Sequence, residues 1–190
     1  MSKEKITGVI LAGGKNSRMG SDKGLLEVGG KRIIERIIDE LKQVVDEIII
    51  ISNDTTLNYL NYKVYADLIK DCGPMGGIHS ALTHSTTEKN LILSCDMPFI
   101  SKNILKTIIN GSAKCEIAIP KHDKRLEPLC AVYLKSCTNK FEELINKEEF
   151  KLKDSFKYFI VKRINFTRKE LSGNEFTNIN TPEEYQSTKA

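Results

Sequence analysis

The sequence is poor in the residues and patterns that mark several common classes. Its five cysteines, Cys72, Cys95, Cys115, Cys130 and Cys137, form no Cys-x-x-Cys pair. They read as free thiols in a reducing compartment. The three histidines, His79, His84 and His122, lack metal-site spacing, and no His-Glu-x-x-His occurs. None is given a catalytic role, and no arrangement for a covalent nucleophile is visible. The apolar run from Gly8 to Ala12 is too short for a signal h-region or a membrane span. The expectation is a soluble, cytoplasmic protein with no membrane partner. Repeats, low-complexity stretches and obvious linkers are missing too.

Two familiar phosphate motifs fail. Gly29-Gly30-Lys31 is followed by Arg32 and lacks the upstream glycine of a Walker loop. The dinucleotide fingerprint Gly-x-Gly-x-x-Gly is absent, which argues against a nicotinamide oxidoreductase. With 29 basic and 25 acidic residues the net charge is +4. That excess is too mild and scattered to argue for nucleic acid, but it suits small anionic substrates.

What remains is the pattern of a single α/β domain. A chain of 190 residues can bury about 70% of its unfolded surface and needs no disulfide to stay folded. Val9–Ala12, Ile48–Ile51 and Leu91–Cys95 are short continuous apolar runs, which predict buried strands. Val64–Tyr65, Glu116–Pro120, Leu129–Leu134 and Phe159–Val161 are further strand candidates. Helical spacing is predicted over Lys31–Val45, from about Gly73 through Leu82, over Ile104–Ile109 and over Phe141–Ile145. Thr181-Pro182-Glu183-Glu184 has the form of a capping box with proline in the first turn. Lys121–Arg125 and Ser172–Asn174 read as loops. Alternating strands and helices imply a mostly parallel central sheet covered on both faces. Ligands of such sheets bind beyond the carboxyl ends of the strands.

The chemistry-bearing residues follow the predicted strands. After the first come Leu11-Ala12-Gly13-Gly14, then Arg18-Met19-Gly20 and Asp22-Lys23. Glycines let backbone N–H groups approach a phosphate, while Arg18 and Lys23 add positive charge. Asp96 ends a buried strand, where a hard divalent cation can use its oxygen. Asn53 and Asp67 follow the second and third strands, with Asp71 a rival for Asp67. Turn chemistry is the alternative explanation, since Asn and Asp favour turns anyway. Arg125-Leu126-Glu127-Pro128-Leu129-Cys130-Ala131-Val132-Tyr133 lies in a basic neighbourhood. Asn178-Ile179-Asn180 precedes the capping box, and alternation puts its two asparagines on one side.

Together these segments resemble the molybdenum cofactor guanylyltransferases, over nearly the whole chain from Gly8 to about Tyr185. That family belongs to the sugar-nucleotide-type nucleotidyltransferases with a Rossmann-like fold. The Gly13-Gly14 form favours the guanylyl branch over the cytidylyl one.

The resemblance implies transfer of GMP from GTP to the phosphate of Mo-molybdopterin, with release of pyrophosphate and Mg²⁺ on Asp96. It implies catalytic roles for Arg18, Lys23 and Asp96. Nucleotide or acceptor contacts would fall to Leu11, Ala12, Gly13, Gly14, Lys23, Asn53, Asp67, Asp96, Asn178 and Asn180, the two asparagines on the pterin side. Arg125 could meet the anionic acceptor. The nucleotide half would span about 6–100 and the acceptor half about 101–190, with molybdopterin-delivering or molybdoenzyme-maturation proteins as partners. The rivals are a cytidylyltransferase or sugar-phosphate nucleotidyltransferase of the same fold, and a GTP-binding module without turnover.

Overall fold

The computed structural model describes residues 4–13, 23–167 and 169–188. In chain order the first half carries β1 (Ile6–Leu11), β2 (Glu27–Val28), β3 (Lys31–Arg32), α1 (Ile33–Leu41), β4 (Glu47–Ile51), β5 (Lys63–Tyr65), α2 (Pro74–His84) and β6 (Lys89–Ser94). The second half carries α3 (Lys102–Gly111), β7 (Ile117–His122), β8 (Arg125–Leu126), β9 (Cys130–Leu134), α4 (Thr138–Asn146), α5 (Leu152–Ser155), β10 (Val161–Asn165) and α6 (Pro182–Ser187).

The main sheet runs β10-β7-β9-β6-β1-β4-β5, with β8 paired to β7. β1 is parallel to β4 and β6, β4 to β5, and β7 to β10. β9 lies antiparallel between β6 and β7. The sheet is thus mostly parallel, as the alternation of strands and helices predicts.

Strand alternation divides the core into two layers. One face carries Ile10, Ile48, Ile50, Leu91, Leu93 and Val132 under α1 and α3. The other carries Val9, Leu11, Ile49, Ile51, Ile92 and Tyr133 under α2 and α4. Strands buried on both sides read as unbroken apolar runs, which is why β1 and β4 were legible.

Helix α1 buries Ile33, Ile34, Ile37, Ile38 and Leu41, the predicted stripe. It is shorter than the Lys31–Val45 expectation at both ends. Gly29 and Gly30 have φ of 59° and 76° and turn the chain so that Lys31–Arg32 pairs with Glu27–Val28. Two consecutive left-handed residues suit a tight hairpin. Val44 and Val45 pack on the core from beyond the helix end.

Two further expectations are corrected. Lys121–Arg125 is a tight β7–β8 hairpin rather than a loop, with Asp123 and Lys124 at φ 42° and 69°. The last strand is Val161–Asn165, not Phe159–Val161; the Phe159 N–H instead closes a turn onto the Phe156 carbonyl. The Thr181–Glu184 capping box is present as predicted.

Candidate active site

From β1 the chain moves outward to β4 and β5, then α2 carries it back to β6 on the other side of β1. The order of strands therefore reverses between β1 and β6, the place where open α/β sheets bind ligands. Helices α1 and α2 cover opposite faces, consistent with that reversal. The loops leaving these two strands are tied together, with the Cys95 N–H donating to the Leu11 carbonyl at 3.1 Å.

On the β4 side, the Ala12 N–H donates to the Ile51 carbonyl at 2.9 Å. The buried Ser52 hydroxyl donates to the Ala12 carbonyl at 3.0 Å. The start of the glycine-rich loop is thus fixed by backbone and by a serine that sequence reading passed over. A methyl group placed on Gly13 would lie 3.7 Å from Asp67 Oδ2 and 4.0 Å from the Ile51 carbonyl. Those are ordinary contacts, so packing against the described residues does not demand glycine at this position. Gly14 and Arg18 lie outside the described residues.

Asn53 and Asp67 come together across the ends of β4 and β5. The Asn53 amide donates to Asp67 Oδ2 at 3.0 Å, and the Asp67 N–H donates to Asn53 Oδ1 at 3.1 Å. Asp67, not its rival Asp71, forms this pair. Its other oxygen faces Gly77, where an added methyl would lie 3.8 Å away. Gly76 serves packing: a methyl there would sit 2.7 Å from the Ile69 carbonyl oxygen.

Lys23 opens a short turn, Lys23–Leu25, whose Gly24 is buried and whose Leu25 packs on the core. Its ammonium donates to Asn180 Oδ1 at 2.7 Å. Ile179 is fully buried, and its N–H donates to the Asp96 carbonyl at 2.9 Å. The C-terminal segment therefore touches both Lys23 and Asp96, which the sequence separates widely. Asn178 and Asn180 flank the buried Ile179, so alternation turns both away from the core. The Asn178 Oδ1 atom is buried without a hydrogen-bond partner.

The Asp96 Oδ1 atom is likewise buried and lacks a hydrogen-bond partner. Burial pushes the Asp96 carboxyl above its ordinary value; the Ser94 hydroxyl and the Lys23 charge pull it down, and Glu184 adds a small upward push. An orphaned carboxylate oxygen is costly unless something binds it. A hard cation fits that oxygen chemically. Among the described residues no cluster of three or more His, Cys, Asp and Glu side chains that could hold a metal ion occurs.

The histidines, Arg125 and the cysteines lie in other surroundings. His122 stacks on Phe176 at 4.5 Å and pairs with Glu127 at 2.9 Å. His84 stacks on Tyr65 at 4.0 Å. Arg125 sits exposed in the β7–β8 hairpin. All five cysteines are buried and free.

A doubly wound sheet with a glycine loop, a lysine and a buried aspartate gathered at its switch point is the arrangement of a nucleotidyltransferase. The chain belongs to the family of MobA-like NTP transferase domains, which it matches over residues 8–159. A Clostridium perfringens protein described as a "Probable molybdenum cofactor guanylyltransferase" is 41% identical, covering 96% of this chain and 95% of that protein. A Pelotomaculum thermopropionicum protein of the same description is 40% identical, covering 93% and 88%. The crystal structure of molybdopterin-guanine dinucleotide biosynthesis protein A from Archaeoglobus fulgidus superposes with a TM-score of 0.80 at 27% identity, covering 96% of each chain.

Proposed function

We propose that the protein transfers GMP from GTP to the phosphate of Mo-molybdopterin, releasing pyrophosphate and forming the guanine dinucleotide cofactor. The observation that carries this reading is the meeting of Lys23, Asp96 and Asn180 through the C-terminal segment, beside the joined ends of β1 and β6. The relatives named as guanylyltransferases supply the nucleotide and the acceptor.

A phosphate monoester has a second pKa of about 6, so the acceptor is largely dianionic at neutral pH. It is already a nucleophile, and no general base is needed. That accords with histidines committed to stacking and packing. The obstacle is repulsion among anions, so the protein's task is positioning and charge neutralisation. Lys23, with Arg18, binds triphosphate oxygens and stabilises the pyrophosphate leaving group. Backbone N–H groups at Gly13 and Gly14 face the phosphates. Asn53 and Asp67 contact the nucleoside. Asn178 meets the pterin side.

Asp96 would hold the divalent ion, Mg²⁺ in this reading, which when bound neutralises phosphate charge. The nucleotide falls to the half around residues 6–100 and the acceptor to that around 101–190. Among the described residues no helix is long and apolar enough to cross a membrane, and we place the reaction in the cytoplasm, where molybdopterin-delivering proteins would supply the acceptor.

The test is to mix the protein with GTP, Mg²⁺ and metal-loaded molybdopterin. Pyrophosphate and the guanylated product should appear together and depend on all three additions. GTP binding without pyrophosphate release would favour the non-catalytic module, and preference for CTP would favour the cytidylyl branch.

A further inference from the structure

Resting on the guanylyl-transfer reading, we propose that Asn180 is a positioning residue for Lys23, holding its ammonium beside Asp96 for the nucleotide phosphates. Lysine has only donors, so the oxygen of Asn180 must face it. The 2.7 Å contact between Lys23 Nζ and Asn180 Oδ1 thereby fixes the amide's orientation as well.

Asn180 is itself held from behind. Its N–H donates to Glu184 Oε2 at 2.6 Å, and the Thr181 N–H donates to the same oxygen at 3.0 Å. The Glu184 N–H returns to Thr181 Oγ1 at 3.2 Å. One residue before Asn180, the Ile179 N–H grips the Asp96 carbonyl at 2.9 Å. A single six-residue stretch, Ile179 to Glu184, thus sets the lysine through a side chain and the aspartate through the main chain.

The chemistry of the partner matters. A lysine side chain carries roughly 2 kcal/mol of rotamer entropy. An anchor in place before the ligand arrives removes part of that cost from binding. A neutral amide oxygen anchors the ammonium without cancelling its charge. A carboxylate at the same place would anchor it equally well and would also repel phosphate. The amide is therefore the suitable group, and the capping box is the frame that aims it.

This assigns Asn180 to the nucleotide side of the reaction, whereas the family resemblance puts it with the pterin. The two are separated by a double-mutant cycle read by GTP titration calorimetry on the full-length wild type, Lys23→Ala, Asn180→Ala, Asn180→Asp and the Lys23→Ala/Asn180→Ala pair. Steady-state KM values for GTP and for molybdopterin are measured alongside. We expect Asn180→Ala to weaken GTP binding about tenfold and to leave the molybdopterin KM within about twofold. Asn180→Asp, which keeps the shape, should weaken GTP by about a further tenfold because it introduces opposing charge. In the Lys23→Ala background the Asn180→Ala change should cost less than about twofold, since its partner is gone.

Equal losses with and without Lys23 would overturn the proposal. So would a raised molybdopterin KM with unchanged GTP affinity, or an Asn180→Asp protein that binds GTP as well as wild type. Pyrophosphate release by the wild type, followed in parallel, reports on the reaction itself. Failure of the reaction and failure of the Lys23–Asn180 coupling are thereby told apart.

Discussion

Asn53 and Asp67 exchange two hydrogen bonds, amide to carboxylate at 3.0 Å and backbone N–H to amide oxygen at 3.1 Å. The pair joins the ends of β4 and β5 and presents the carboxylate toward Gly13 and Gly77. Turn chemistry alone would leave each residue bonding its own neighbours. A reciprocal bond across fourteen residues instead fixes a carboxylate at the sheet edge. Asp67→Ala should therefore weaken GTP binding by about tenfold, the worth of one good hydrogen bond to a charged group. Pyrophosphate binding should change much less, because pyrophosphate carries no nucleoside for Asp67 to contact in the proposed arrangement. Competition titrations with GTP and pyrophosphate read both effects.

The two glycine motifs should respond differently to alanine. A methyl on Gly76 meets the Ile69 carbonyl at 2.7 Å, whereas one on Gly13 meets none of the described residues closer than 3.7 Å. Gly76→Ala is expected to cost about 1–3 kcal/mol of stability through overpacking. Gly13→Ala should leave the melting temperature near wild type and still weaken GTP binding. Thermal melts with and without GTP separate the two.

Glu175 is a buried carboxylate that ties down the segment before Asn178. It accepts from the Ser172 N–H at 2.7 Å, the Ser172 hydroxyl at 2.9 Å and the Gly173 N–H at 3.1 Å. Burial alone would raise its pKa, but these hydrogen bonds together hold it below the ordinary value. A depressed carboxylate contributes stability that is fully present above its unfolded pKa. That stability is lost as pH falls through the lower folded pKa. Glu175→Ala should destabilise the protein by about 1–3 kcal/mol at neutral pH. The deficit should shrink in acid, as the wild-type carboxylate takes up its proton below the ordinary glutamate range. Urea melts across pH 3–7 check it.

Thiol chemistry gives a fourth expectation. Burial raises the Cys137 thiol to about 12 and pushes Cys130 up as well. Cys72, Cys95 and Cys115 are also buried. The folded protein should react slowly with a thiol reagent at pH 8, and unfolding should release all five cysteines. Rapid labelling of the native protein would show that one of these sites opens.

Much of the fold was legible because its central strands are buried on both faces and its helices on one. The runs at Val9–Ala12 and Ile48–Ile51 and the stripe from Ile33 to Leu41 carry that signal directly. Boundaries were less legible where left-handed backbone intervened. Gly29-Gly30 begins α1 late, and Asp123-Lys124 makes a hairpin of a stretch that reads as loop.

The candidate residues stand out in the sequence, but their contacts do not. Lys23, Asp96 and Asn180 each stand out, yet no local pattern reveals that Ile179 grips Asp96 or that Asn180 grips Lys23. Those contacts depend on how the C-terminal segment folds back. The buried Ser52, which ties β1 to β4, carried no signal beyond ordinary turn composition.

The most direct trial of the whole account is pyrophosphate release by Asp96→Asn protein under saturating GTP, Mg²⁺ and Mo-molybdopterin. The substitution keeps the shape and removes the charge. Because one oxygen of Asp96 is buried without a partner, the variant should melt no lower than wild type while turning over at least about a hundredfold more slowly. A variant that folds normally and turns over near the wild-type rate would contradict the account.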